Sequence, residues 1–97
     1  MYNKETNLRM QELLKKCIGE FLGTFLLVFV VLTTHNFLAI GTALALGVFL
    51  FKGSYNPAVS LALFMNKEIS SKDIVAYIGV EIIAAIAAYY ISKSFSR

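Results

Sequence analysis

A run of 31 residues without a single Asp, Glu, Lys or Arg, residues 21–51, most restricts how this chain can fold. As one straight helix it would be about 46 Å long, because an α-helix rises ~1.5 Å per residue. The hydrocarbon core of a bilayer is only about 30 Å thick. The run must therefore turn, and its only polar cluster, Thr-Thr-His-Asn at residues 33–36, is the place for a tight turn between two membrane helices.

These lengths predict an all-α membrane protein with three transmembrane helices and one re-entrant half-helix. A polar loop at residues 65–73 precedes the third apolar span. We expect the first helix to be retained, because no small-residue cleavage site of a signal peptide separates it from the second. The predicted segments are a basic amphipathic lead at residues 1–16, a repeat at 17–94 and a tail at 95–97. Within the repeat, the predicted transmembrane helices are 17–33, 37–51 and 74–92, and the predicted re-entrant helix is 56–65.

The tripeptide Asn56-Pro57-Ala58 begins the predicted half-helix. It lies in an uncharged run of 14 residues, 53–66, and runs of about 10–14 residues are too short to cross a bilayer. Asn is favoured as a helix cap, because its side chain accepts from free backbone N–H groups, and Pro is favoured at the first helical position. A helix that starts at membrane depth is tolerated only where its end is buried in protein or lines a watery cavity. The tripeptide therefore indicates a pore or binding site.

The net charge of +3 does not indicate nucleic-acid binding. The basic residues flank apolar spans and form no stripe with interleaved aromatic side chains. Cytoplasmic loops of membrane proteins carry an excess of Lys and Arg, so the charges predict an integral membrane protein with a cytoplasmic N-terminus. In that orientation seven basic residues lie inside, Lys4, Arg9, Lys15, Lys16, Lys52, Lys67 and Lys72, and two lie outside, Lys93 and Arg97.

Three segments follow one another in a recognisable order. They are Gly19-Glu20-Phe21-Leu22-Gly23-Thr24-Phe25, Asn56-Pro57-Ala58-Val59-Ser60 and Ala76-Tyr77-Ile78-Gly79-Val80-Glu81. Together they resemble the first half of an aquaporin, a channel of the major intrinsic protein family, and the resemblance covers residues 19–94. It implies passive movement of water or a small neutral solute such as glycerol across the lipid bilayer, without a cofactor.

The resemblance also implies roles for the residues around the tripeptide. Asn56 would donate from its side-chain amide to passing water, and the positive end of the half-helix dipole would oppose protons and cations. Pro57, Ala58 and Val59 would line the pore with it. Val59 stands where the second half of family members carries the arginine of the narrow filter. Glu20 would accept hydrogen bonds from the loop before Asn56 and brace that loop.

A second acid and several glycines are candidates for contacts between helices. Glu81 lies inside the third span, where an acid is a functional hypothesis because its burial is costly unless it is paired. Relatives carry glutamine near this position, so we interpret Glu81 as a second hydrogen-bonding brace, with proton-linked transport as the alternative. Gly19 and Gly23 form a pair that lets helices approach closely, and Gly79 is a third packing position.

A pore of this family contains two half-helices from inverted repeats, whereas one repeat is recognisable here. The resemblance therefore implies a homo-oligomer with inverted copies, or a separate protein that supplies the second half. The seven-to-two charge bias favours a single orientation and so opposes the first arrangement. Both arrangements remain open.

Two other classes of function also fit the sequence. A non-conducting or regulatory membrane subunit would pair with another channel half through Gly19 and Gly23, and a small holin-like protein would permeabilise the membrane without needing Asn56. An enzyme is not expected, because one His, one Cys and two dispersed intramembrane acids make no catalytic or metal-binding constellation. No phosphate-binding glycine loop indicates a cofactor.

Overall fold

The computed structural model describes residues 3–95, and these form α-helices joined by short connections. The helices are α1 at Lys4–Thr34, α2 at Phe37–Phe51, α3 at Pro57–Met65 and α4 at Ser71–Ser92. The prediction of an all-helical chain is confirmed. The first two residues of the predicted lead and the last two of the predicted tail, including Arg97, lie outside the described residues.

Helix α1 is continuous over 31 residues, so the predicted boundary between residues 16 and 17 is not a break in the helix. Asn3 caps it by accepting from the backbone N–H of Thr6 at 2.8 Å. The lead contains neither Gly nor Pro and is rich in Leu, Lys and Glu, which are good helix formers. At ~1.5 Å per residue α1 is longer than the thickness of a hydrocarbon core by the length of roughly ten residues.

Helices α1 and α2 form a hairpin around a two-residue turn. His35 ends α1 in the left-handed conformation, with φ of 51°, and its N–H bonds to the carbonyl of Val31. Asn36 then caps α2 by accepting from the backbone N–H of Ala39 at 3.0 Å. The polar cluster therefore reverses the chain through local capping bonds.

Helix α4 begins three residues before the predicted start, at Ser71 instead of residue 74. Ser70 caps it by accepting from the backbone N–H of Asp73 at 3.2 Å. Asp73 lies in the first turn, where the helix dipole favours a negative charge. The first turn therefore takes in polar residues that the hydropathy pattern assigns to the loop.

Helix α1 packs against both α2 and α4, and α3 packs against α4. The buried apolar side chains are few and mostly small or aromatic, whereas large ones are exposed, including Phe37 at 80%, Phe49 at 78% and Val75 at 76%. Helices α1 and α4 are long and apolar enough to cross a membrane, and α2 is a shorter apolar helix of 15 residues. An apolar exterior around a small polar interior suits lipid as the surrounding solvent.

Candidate functional site

Asn56 caps α3, directly after the loop that follows α2. Its Oδ1 accepts from the backbone N–H groups of Ala58 at 2.7 Å and Val59 at 3.4 Å. Pro57 is the first helical residue. The side chain of Asn56 is exposed, as are Ala58 and Val59, while Pro57 is half-buried. With its carbonyl oxygen engaged in the cap, Asn56 has its N–H₂ group left to donate to a ligand.

The loop directly before Asn56 is bound by the side-chain carboxyl group of a residue on α1. Glu20 is 4% exposed. Its Oε2 accepts from the backbone N–H of Ser54 at 2.9 Å and its Oε1 from the backbone N–H of Tyr55 at 2.9 Å. Tyr55 has φ of 60°, a conformation that bulky residues rarely adopt. Two hydrogen bonds to the carboxyl group of Glu20 offset that strain and hold the loop against α1.

The side chain of Tyr55 fills the space between α1 and α2. It is 2% exposed; its hydroxyl donates to the carbonyl of Gly47 and accepts from the N–H of Gly53, the latter at 3.0 Å. A Cβ added at Gly23 would overlap the ring, and one added at Gly47 would lie 2.9 Å from Tyr55 Cε2. Both glycines therefore create the slot that this ring occupies.

The other predicted packing glycines differ from Gly23. A Cβ at Gly19 would lie 3.1 Å from Phe51 Cβ, so α1 and α2 approach closely there. A Cβ at Gly79 would meet nothing within 4 Å among the described residues. A packing role for Gly79 would therefore require another protein surface.

A second carboxyl group joins the same cluster from α4. Glu81 is fully buried, and its Oε2 accepts from the hydroxyls of Ser60 at 2.8 Å and Ser54 at 3.1 Å. The two serine hydroxyls also contact each other, and Ser54 Oγ lies 3.5 Å from Glu20 Oε2. This network links α1, the loop, α3 and α4 around the start of α3.

A groove continues beyond the N-terminus of α3, between α1 and α4. Its volume is about 340 Å³. Asn56, Pro57, Thr24 and Glu81 line it together with aliphatic side chains such as Val28. The lining of the groove is therefore mostly apolar.

Sequence reasoning singled out Asn56, Glu20 and Glu81 but missed the contacts of Ser54, Tyr55 and Ser60. The available signal was weak, since one Tyr and two Ser in an apolar segment are ordinary. Among residues 3–95, no group of three or more His, Cys, Asp or Glu side chains is placed to hold a metal ion.

No family model matches the chain, and no solved structure matches it. The chain is similar to glycerol uptake facilitator protein-like 6 of Lactiplantibacillus plantarum, with 39% identity over 84% of this chain and 44% of that protein. The match thus spans less than half the length of this relative. The name of this relative describes an uptake facilitator and not an enzyme, which agrees with the expectation that this chain is not an enzyme.

Proposed function

We propose that the chain belongs to the aquaporin and glycerol facilitator family and forms one half of a passive membrane channel for water or a small neutral solute. The main supporting observation is the cap of α3. Asn56 Oδ1 accepts from the backbone N–H groups of Ala58 and Val59, which leaves the side-chain N–H₂ group of Asn56 to donate. The similarity to an uptake facilitator supports the same function independently.

In the proposed arrangement α1, α2 and α4 cross the bilayer, and α3 enters it and turns back. The exposed large apolar side chains support placement of these helices in lipid. Helix α2 has 15 residues and would span only about 22 Å at ~1.5 Å per residue, which requires local thinning of the bilayer or extension by the following loop.

Selectivity in this proposal comes from charge and hydrogen bonding at the start of α3. The positive end of the helix dipole faces the pore centre and opposes protons and cations, and the Asn56 amide orients each passing hydroxyl. Val59, which is 45% exposed, adds an apolar surface where a cationic filter residue would otherwise stand. A pore made from two such halves would therefore exclude small uncharged solutes less strictly.

The second half-helix comes from an inverted copy of this chain or from a separate protein. The charge bias favours a cytoplasmic N-terminus for every copy, which supports the separate protein. Accessibility of tags at both ends in intact cells distinguishes the two arrangements. A C-terminus found only outside rules out pairing of inverted copies, whereas both ends found on both sides supports it.

Osmotic shrinkage of proteoliposomes, followed by light scattering, tests conduction, with trapped carboxyfluorescein as the leak control. Reconstitution scrambles orientation, so inverted copies can meet. Asn56→Asp keeps a good helix cap but replaces the amide donors by a negative charge. Asn36→Asp is the matched control, because Asn36 caps α2 in the turn between α1 and α2.

Fast water flux that Asn56→Asp abolishes and Asn36→Asp preserves, without dye leak, supports a selective pore. Dye leak in all variants would contradict it and favour the holin-like alternative. Absence of flux in every variant, with folded protein in the vesicles, would contradict self-pairing and favour a separate second half or a regulatory subunit.

A further inference from the structure

The N-terminal half of α1 has an uncharged face that points away from the other helices. We call this the outward face, and define it as the residues within about 60° of Leu14 around the helix axis at ~100° per residue: Asn7, Met10, Gln11, Leu14, Cys17 and Ile18. Leu14 is 61% exposed and Met10 is 53% exposed. The buried residues Gly19 and Gly23 lie on the opposite side of the helix.

The charged residues of the lead lie outside the outward face. Arg9 and Lys16 turn toward the bundle, where Arg9 Nη2 lies 3.5 Å from Asp73 Oδ1 and Lys16 lines a cavity between α1 and α4. Glu5 and Glu12 lie roughly opposite the outward face. A surface helix of a soluble protein shows the reverse pattern, with its apolar side inward and its charges in water. The outward face is therefore suited to an apolar partner.

The thickness of a bilayer indicates which part of the membrane the outward face meets. The polar turn at residues 33–36 ends α1, and roughly 20 residues cross a hydrocarbon core. Counted back from residue 33, the core ends near Leu14. Met10 lies one turn further out, about 5 Å away, in the headgroup region. The outward face would therefore meet acyl chains at Ile18 and headgroups at Met10.

Lys15 supplies a positive charge beside this face, at the depth of Leu14. Its side chain is exposed, and among residues 3–95 no carboxylate lies within 4 Å of its ammonium group. A lysine side chain can run along apolar surface and carry its ammonium group to the headgroups. Because the outward face carries no acid, nothing on it offsets the attraction of this charge for an anion.

We propose that the outward face of α1 binds an anionic phospholipid. The phosphate group pairs with the ammonium group of Lys15, and the acyl chain packs along Leu14 and Ile18. The proposal requires α1 to cross a bilayer, but it does not require the chain to conduct. Its failure and a failure of the proposed channel function are therefore distinguishable, because its tests measure lipid contact and not flux.

Fluorescence quenching in proteoliposomes of phosphatidylcholine and phosphatidylglycerol tests the lipid contact. The chain contains no Trp, so Leu14→Trp introduces a single reporter. We expect phospholipids brominated near the start of the acyl chain to quench it strongly, and aqueous acrylamide to quench it weakly. Glu12→Trp is the matched control, because Glu12 is exposed on the other side of the same turn, and it should show the reverse order.

Two outcomes of this experiment would overturn the proposal. Equal quenching of both variants by acrylamide would mean that water covers the outward face. Protection of Leu14→Trp from both quenchers would mean that another protein helix covers it, such as a second copy of this chain.

The charge preference is tested in the Leu14→Trp background with brominated phosphatidylglycerol and brominated phosphatidylcholine at equal mole fraction. We expect roughly fivefold enrichment of phosphatidylglycerol at the reporter, as for one basic residue at an anionic surface, and its loss in Lys15→Gln. Lys4→Gln is the matched control, because Lys4 lies on the same side of α1 about 16 Å further from the bilayer. Equal quenching by the two lipids, or an enrichment that Lys15→Gln retains, would contradict the proposal.

Discussion

The aromatic ring of Tyr55 occupies the space that any side chain at Gly23 would fill. Tyr55 belongs to the loop before α3, whereas Gly23 lies in the middle of α1. The contact therefore sets how deeply the loop enters between α1 and α2, and with it the position of Asn56.

Gly23→Ala should displace the Tyr55 ring and destabilise the fold. Overpacking of a filled site typically costs about 1–3 kcal/mol. Gly41→Ala is the matched control, because a Cβ at Gly41 meets nothing within 4 Å among the described residues. Thermal unfolding in detergent should show a lower Tm for Gly23→Ala only; equal Tm values for the two variants would contradict the packing described.

Tyr55→Phe should keep the packing of the ring and lose the hydrogen bonds of its hydroxyl. Those bonds join Gly47 on α2 to Gly53 in the loop, and a single hydrogen bond typically contributes about 1 kcal/mol. Tyr90→Phe is the control, because Tyr90 is 68% exposed. We expect a loss of stability for Tyr55→Phe and an unchanged Tm for Tyr90→Phe, measured by circular dichroism.

Glu20→Gln should weaken the attachment of the loop to α1. Both carboxylate oxygens accept backbone N–H groups, whereas glutamine has one acceptor and presents an N–H₂ group to the second donor. The unpaired N–H costs about 1–3 kcal/mol. Glu12→Gln, on the exposed part of α1, should leave Tm unchanged. Faster hydrogen exchange at Ser54 and Tyr55 in Glu20→Gln alone would localise the effect, and unchanged exchange there would refute it.

Two substitutions of Asn56 should distinguish its role as a helix cap from the role of its side-chain amide as a donor. Asn56→Ala removes the cap and should cost about 0.5–2 kcal/mol, whereas Asn56→Asp keeps an acceptor at the same place and should retain most of the stability. Unfolding in denaturant measures both. If the two variants were equally destabilised, the cap would not be the role of Oδ1, and a flux defect in Asn56→Asp would lose its interpretation.

The helix ends that are set by capping residues a few positions away could be predicted from the sequence. The cluster at residues 33–36 turns the chain because His35 and Asn36 satisfy the free ends of α1 and α2. Asn56 and Pro57 start α3 for the same reason. No helix end lies at the boundary placed between residues 16 and 17, because that boundary rests on hydropathy, which does not report where the hydrogen bonds of a helix end.

The sequence by itself determined that the chain is helical, that its long apolar run turns at residues 33–36 and that α3 begins after Asn56, because helix caps form between residues a few positions apart. Only the tertiary structure decided that the two carboxyl oxygens of Glu20 accept separately from the backbone N–H groups of Ser54 and Tyr55 and that Ser54 and Ser60 donate to Glu81. These contacts depend on how α1, α3 and α4 pack, and spacing along one chain carries no record of which buried groups will meet.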